Sequence, residues 1–276
     1  MYEIVKVLNN NTLLALKDNQ EVIFLGKGIG FKKKVGELFQ PDEQCQEYAL
    51  VEKGNGKRNI EKDIVSINPI FIEIASEIIR LAKIQFDHVD EKILLPLVDH
   101  IEFAISRLEN KMEINNPFTK DIELLFPEEY KIALKGREII EKYTQYKIPD
   151  NEVGYITLHV HSAISTSKTT ESIQVMEVIR ENIDQLRKDL RITIDENSIS
   201  YIRLMNHLKY LLLRLDTKEK LQMDISDFTE TKFPFAYEQA TNMCQQLSKV
   251  LDKEIPETEI GYLALHLERI LSLELK

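Results

Sequence analysis

The feature that most constrains this chain is a segment that occurs twice. Residues 148–159 read IPDNEVGYITLH and residues 255–266 read IPETEIGYLALH, so seven of twelve positions are identical and both copies end in histidine. The same offset of 107 residues also superposes His100 on His207 and Arg107 on Arg214 without a gap. A fixed offset held over such a length predicts one domain duplicated in tandem, with the seam near STSKTTES at residues 165–172.

Both copies are predicted to be helical. NPIFIEIASEIIRLAKIQF at 68–86 and PLVDHIEFAISRLE at 96–109 place apolar residues at i, i+3, i+4 and i+7. This spacing is typical of amphipathic helices. Pro149 and Pro256 suit helix starts, and acidic residues follow each of them in the first turn, where the backbone dipole favours negative charge.

The first 58 residues, which we call the head, have a different texture. Short β-branched or aromatic runs separated by turn residues predict a four-stranded antiparallel sheet, and KGNGKRN at 53–59 is typical of a linker. The chain is therefore predicted to be multidomain, with a small all-β antiparallel domain at 1–58 and two tandem all-α helical-bundle domains at 59–170 and 171–276. Because so small a unit buries little surface alone, we expect the head to dimerise through one face.

Charge separates the head from the helical body. The chain has a net charge of -10, but the head carries a net of +1 and residues 59–276 a net of -11. This asymmetry suggests two kinds of task in one chain. Two cysteines are too few for a disulfide framework, and neither a signal peptide nor a membrane-spanning run is evident, so we expect a cytoplasmic protein without membrane insertion.

Four of the six histidines belong to the repeat: His100 and His159 in the first copy, His207 and His266 in the second. Duplication could have copied plain structural histidines. Polar residues flank the rings in VDHIEF and MNHLKY, however, which predicts imidazoles that solvent reaches. A neutral imidazole can accept a phosphoryl group, which adds roughly two negative charges at one point.

An arginine follows two of these histidines by seven residues, two helical turns along nearly the same face: Arg107 after His100 and Arg214 after His207. Each arginine could hold an added phosphate or form a surface salt bridge.

Metal chemistry fits the histidines poorly. In HVH, His159 and His161 point about 200° apart on a helix and cannot share an ion. His161 and His88 have no counterpart in the second copy and are predicted to be ordinary packing or surface residues. We therefore predict no metal site and no cofactor, and no nucleophile elbow, Walker loop or thiolate cluster is evident.

Two polar stretches stand out in the head, LNNNTLL at 8–14 and GKGIGFKKK at 26–34. The asparagines could form a plain turn, and the glycine spacing is not that of a nucleotide-binding loop. Glycines at 26, 28 and 30 would let another backbone approach closely. Amide side chains, lysines and one aromatic ring on a small sheet suit RNA recognition by phosphate contact and base stacking.

The motifs taken together resemble a known family. KVLNNN and GKGIGF in the head, followed by DHIEFAI, GYITLH, NHLKYLL and GYLALH, are similar to the bacterial transcriptional antiterminators of the BglG, SacY and LicT type. The resemblance covers essentially the whole chain. It implies a co-antiterminator RNA-binding domain followed by two phosphotransferase-system (PTS) regulation domains, in a dimeric regulator that is not an enzyme. Such a protein binds an antiterminator hairpin in nascent mRNA of sugar-utilisation genes.

The resemblance also implies the regulation. A sugar-specific enzyme II phosphorylates the first regulation domain and inactivates the protein, whereas the phosphocarrier HPr phosphorylates the second and activates it. The implied phosphorylation sites are His100, His159, His207 and His266. The implied RNA contacts are Lys6, Asn9, Asn11, Gly26, Lys27, Gly28 and Phe31.

Two positions depart from a uniform pattern. Lys27 stands where some relatives have Arg, so hairpin preference can differ. Asn206 replaces the Asp99 of the first copy, and an amide cannot orient a histidine as a carboxylate does.

Two other classes of protein compete. A DNA-binding activator could share the regulatory body, but it would need a helix-turn-helix head, and residues 1–58 lack a helical period of sufficient length. A phosphotransfer enzyme would need a pocket for a small acceptor, and no signature of one is evident.

Overall fold

The computed structural model describes residues 1–17, 20–26, 28–42, 45–49, 68–112, 114–165 and 169–274. Three features named above lie outside the described residues: Lys27, the linker at 53–59, and residues 166–168 of the seam.

The head is an antiparallel sheet, as predicted. In the described residues the strand order is β4-β1-β2-β3-β5. The strands are β1 (Tyr2–Asn9), β2 (Thr12–Lys17), β3 (Gln20–Leu25), β4 (Leu38–Phe39) and β5 (Gln46–Ala49). The prediction of four strands was therefore one short. A two-residue strand such as β4 is too short to leave a period in the sequence.

The body is all-α, which confirms the predicted fold class. The described residues contain ten α-helices and one turn of 3-10 helix at Glu91–Ile93. The helices are α1 (Pro69–Gln85), α2 (Leu94–Glu109), α3 (Thr119–Leu125), α4 (Pro127–Thr144), α5 (Asp150–Ile164), α6 (Thr169–Leu190), α7 (Ile199–Thr217), α8 (Ser226–Lys232), α9 (Pro234–Leu251) and α10 (Glu257–Glu274). Within the described part of the chain, no helix combines the length and apolar character needed to cross a bilayer.

Helix boundaries follow local chemistry. Asn68 caps α1, because its Oδ1 accepts a hydrogen bond from the backbone N of Ile70 at 3.1 Å and Pro69 occupies the first turn. The repeated prolines Pro149 and Pro256 immediately precede α5 and α10, as the sequence predicted.

Contacts divide the chain into two compact units. The first contains residues 1–114 and 132–149, and the second contains residues 115–131 and 150–276. Residues 115–131 of the first repeat thus group with the second repeat. The predicted domain boundaries at 58 and 170 stay a prediction.

In the first unit, the sheet is buried on both faces. Leu13 and Phe24 lie in one core cluster, while Leu14 and Ile23, on the opposite face of the pleat, are also fully buried. On this second face, Tyr48 of β5 pairs with Ile23 in register. The hydroxyl of Tyr48 forms a buried hydrogen bond of 2.8 Å with Oγ of Ser76 in α1. The head is therefore tied to the first helix.

In the second unit, a buried carboxylate links the repeats. Asp121 of α3 is 1% exposed, and its Oδ1 accepts a hydrogen bond of 2.6 Å from the hydroxyl of Tyr201 in α7. Burial raises the pKa of Asp121. At the offset of 107, Leu94 stands for Tyr201 and Phe228 for Asp121, so neither partner has a polar counterpart. The bond belongs to the packing of α3 on α7 and is not a product of duplication.

Candidate functional site

The two polar stretches of the head meet at the β1–β2 turn. Asn11 accepts twice: its backbone O from the N of Gly26 at 2.9 Å, and its side-chain Oδ1 from the N of Gly28 at 2.9 Å. The backbone O of Asn10 accepts from the N of Gly30, also at 2.9 Å. These bonds bring Asn11, Gly26 and Gly28 together, and they give the Asn11 amide a role in shaping the loop.

The two glycines of this loop are needed for different reasons. A Cβ at Gly26 would lie 2.9 Å from Cγ2 of Ile29 and 3.2 Å from Sγ of Cys45, so only glycine fits against this wall. Gly28 has open space around it but a φ of +75°, a conformation that other residues adopt at a cost.

Beyond the glycines the loop presents an aromatic ring and positive charge. Phe31 is 59% exposed, and Nζ of Lys32 lies 5.3 Å from its ring centroid. Lys33 and Lys34 are exposed as well. The face combines a stacking surface with cations, as single-stranded nucleic acid requires.

The other predicted RNA contacts occupy β1. Lys6 is half-buried and pairs in register with Leu14 of β2, and Asn9 is the last residue of β1. Asn10 was not among the predicted residues. It anchors the loop through its backbone carbonyl, which any residue possesses, so no sequence signal could have found it.

The two histidines of the second copy lie face to face. The ring centroids of His207 in α7 and His266 in α10 are 5.0 Å apart, with 29° between the ring planes. Both residues are half-buried, and the His207 side chain is only 8% exposed. The polar neighbours predicted more access to solvent than this. Successive residues of a helix point about 100° apart, so the exposed Asn206 faces solvent while the His207 ring turns toward α10.

Both rings of the second copy are neutral at pH 7. Burial, followed by the charges of His266 and Arg214, lowers the pKa of His207 to about 3. Burial, followed by the charges of Arg269 and Arg203, lowers the pKa of His266 to about 4. A neutral ring keeps a lone pair on one nitrogen and can act as a nucleophile.

An ion pair lies beside His207. Arg214 of α7 binds Glu259 of α10 through two bonds, Nε to Oε1 at 2.6 Å and Nη2 to Oε2 at 2.7 Å. The Glu259 side chain is 4% exposed and that of Arg214 15%, so a surface salt bridge was the wrong expectation for Arg214. Nε2 of His207 is 3.7 Å from Oε2 of Glu259. The sequence held a signal for this pair, because the offset also repeats Glu259 as Glu152.

In the first copy, His100 lies on α2 and His159 on α5, and both are half-buried. They belong to different compact units, His100 to the first and His159 to the second.

The repeated glycine has a packing role in both copies. A Cβ at Gly154 would lie 2.8 Å from Nδ2 of Asn116, and one at Gly261 would lie 3.0 Å from the backbone of Ser226. The close approach fixes the first turns of α5 and α10, and with them the helices that carry His159 and His266.

The unrepeated histidines have ordinary surroundings. His161 is half-buried, with Nδ1 3.0 Å from Oε1 of Glu129 and its ring 4.0 Å from that of Phe126. His88 is exposed. Over the residues that the structure describes, no group of three or more His, Cys, Asp or Glu side chains is arranged to hold a metal ion.

Comparisons with known families and proteins match nearly the whole chain. The family described as CAT RNA binding domain matches residues 2–57, and the family described as PRD domain matches residues 61–163 and 180–270. "Protein GlcT" of Staphylococcus saprophyticus is 30% identical over 266 residues, covering 95% of each chain. "GlcA/glcB genes antiterminator" of Staphylococcus carnosus is 31% identical over 283 residues, covering 96% of this chain and 94% of the relative.

A solved structure, the crystal structure of GlcT CAT-PRDI, is also similar. It has a TM-score of 0.50 and 32% sequence identity, and the match covers 59% of this chain and 98% of the other. The matched domains have the order that the sequence motifs predicted, an RNA-binding head followed by two PRD domains. The chain therefore belongs to the family of BglG/SacY/LicT-type transcriptional antiterminators.

Proposed function

We propose that this chain is an RNA-binding antiterminator that stabilises an antiterminator hairpin in nascent mRNA of sugar-utilisation genes, and so prevents the overlapping terminator hairpin from forming. The observation that carries the proposal is the order of matched domains, one CAT RNA binding domain followed by two PRD domains. The role is regulatory and not enzymatic, in the cytoplasm. The S. carnosus relative, described as an antiterminator, supports the same activity.

We propose domain boundaries at 1–58, 59–170 and 171–276. The matched ranges, residues 2–57, 61–163 and 180–270, fall inside these limits.

The RNA-binding surface proposed for the head comprises Lys6, Asn9, Asn11, Gly26, Lys27, Gly28 and Phe31. The loop bonds at Asn11 hold the glycine segment against the β1–β2 turn, and the exposed Phe31 ring with Lys32 beside it supplies stacking and charge. Two such heads in a homodimer would bind both sides of a partly palindromic hairpin.

A gel shift tests the RNA surface. We expect the chain to bind a hairpin RNA and not duplex DNA of the same sequence. Phe31→Ala should weaken hairpin binding about 5-fold to 100-fold, since stacking of one base contributes about 1–3 kcal/mol. Phe228→Ala is the matched control, because Phe228 is 53% exposed but lies on α8. Preference for duplex DNA would instead favour a DNA-binding activator.

For regulation, we propose that His100 and His159 receive phosphate from a sugar-specific enzyme II and that His207 and His266 receive it from HPr. The neutral, facing rings of His207 and His266 support acceptor chemistry in the second copy.

Mass spectrometry after incubation with each phosphorylated donor tests this assignment, using acid-labile phosphate as the readout. We expect HPr to label the second pair of histidines and enzyme II the first. Phosphate on none of the four with either donor would refute it.

A further inference from the structure

The starting observation is a buried carboxylate next to the proposed acceptor nitrogen. Nε2 of His207 is buried and lies 3.7 Å from Oε2 of Glu259, and the carboxylate of Glu259 is itself 4% exposed. A group added at Nε2 therefore enters space beside an anion. Because a phosphoryl group carries roughly two negative charges, it cannot share this site with Glu259 unless a cation serves both.

Arg214 is the cation in position to do so. Its charge acts on the His207 ring, whereas Arg203 and Arg269 act on His266. The planar fork of a guanidinium binds a carboxylate or a phosphate equally well in shape. In the present state that fork is fully used by the carboxylate of Glu259.

We propose that Glu259 is a latch: it holds Arg214 in the unphosphorylated protein, and phosphorylation of His207 transfers the guanidinium of Arg214 from Glu259 to the phosphoryl group. The proposal rests on the proposed function, since it requires His207 to accept phosphate. Arg214 and Glu259 act as positioning residues.

The chemical step is balanced within the donor and His207. The Nε2 lone pair forms a new P–N bond while the P–N bond of the donor phosphohistidine breaks. His207 releases the proton on Nδ1, and the departing donor imidazole takes up one. Arg214 stays protonated throughout and changes only its anion.

Release of Glu259 would act on the packing of α10. Glu259 lies in the first turn of α10, two residues before Gly261, which packs tightly on Ser226 of α8. Oγ of Ser226 also donates to the backbone O of Glu257 at 3.0 Å. A buried carboxylate that loses its cation must move toward water. The movement would therefore be felt where α8 and α10 meet.

The test compares Glu259→Gln with the double variant Arg214→Gln/Glu259→Gln in the full chain. Both lack the carboxylate, and the double variant avoids leaving a buried charge unpaired, so both can fold. Phosphoramidate, a small donor, and phosphorylated HPr are used in parallel. The readouts are phosphate on His207 by mass spectrometry and its hydrolysis rate.

Glu259→Gln should accelerate phosphorylation of His207 by at least about tenfold, because a like charge beside the acceptor is removed. The double variant should lose this gain, and its phosphate should hydrolyse about tenfold faster than that of Glu259→Gln. Asp216→Asn is the matched control, since Asp216 forms an ion pair with Lys253 at 2.6 Å on the same helix but is partly exposed.

The outcomes separate two kinds of failure. If wild-type His207 takes phosphate and both variants behave like wild type, the latch is refuted and the proposed function stands. If wild-type His207 takes phosphate from neither donor, both are refuted at this site.

Discussion

Acid should destabilise the protein through the facing rings of His207 and His266. Their pKa values in the folded state are about 3 and about 4, against 6.5 for an ordinary histidine. The folded pKa is depressed, so the unfolded chain binds more protons, and the stability contributed by the neutral rings is present above about pH 6.5 and lost as the pH falls. At pH 5 the unfolded ring is almost fully charged while the folded ring stays neutral. Linkage then costs about 2 kcal/mol per ring at that pH.

Urea denaturation at pH 7.5 and pH 5 measures this cost. Replacing one ring, in His207→Gln, should remove about 2 kcal/mol of the pH-dependent loss of stability. His88→Gln removes an exposed imidazole and is the matched control. NMR titration of the ring protons provides a direct check, with both rings expected to stay neutral to below pH 5. A His207 ring that titrates near pH 6.5 would refute the reasoning.

Three substitutions test other parts of the structure. Tyr201→Phe should reduce the free energy of unfolding by about 1–3 kcal/mol, because it removes the hydrogen bond to the buried carboxylate of Asp121; urea denaturation measures it. Gly261→Ala should cost about 1–3 kcal/mol in the same assay, since its Cβ would press on the backbone of Ser226 at 3.0 Å. Gly28→Ala meets no atom within 4 Å but needs a φ of +75°, so we expect a loss of about 1–2 kcal/mol in head stability, measured by thermal unfolding.

The sequence was sufficient for the architecture because its signals are local. Period 2 in the head and period 3.6 in the body predicted a sheet followed by helices, and Pro149 and Pro256 marked two helix starts. The gapless offset of 107 residues predicted the duplication. Strand β4 escaped because two residues carry no period.

The sequence was less informative wherever geometry depends on distant residues. Flanking polarity suggested exposed rings, but the crossing of α7 and α10 decides that His207 is mostly buried. The same crossing converts a first-turn acid, Glu259, into the buried partner of Arg214. The bond between Asp121 and Tyr201 has no counterpart at the repeat offset, so duplication could not reveal it.

Transcription read-through in vitro tests most directly whether phosphate on the repeated histidines controls RNA binding. The template carries a leader with a hairpin overlapping a terminator, and the chain is added with phosphorylated HPr. We predict that HPr raises read-through with wild type and has no effect on His207→Ala/His266→Ala. An equal response of both proteins to phosphorylated HPr would contradict the account.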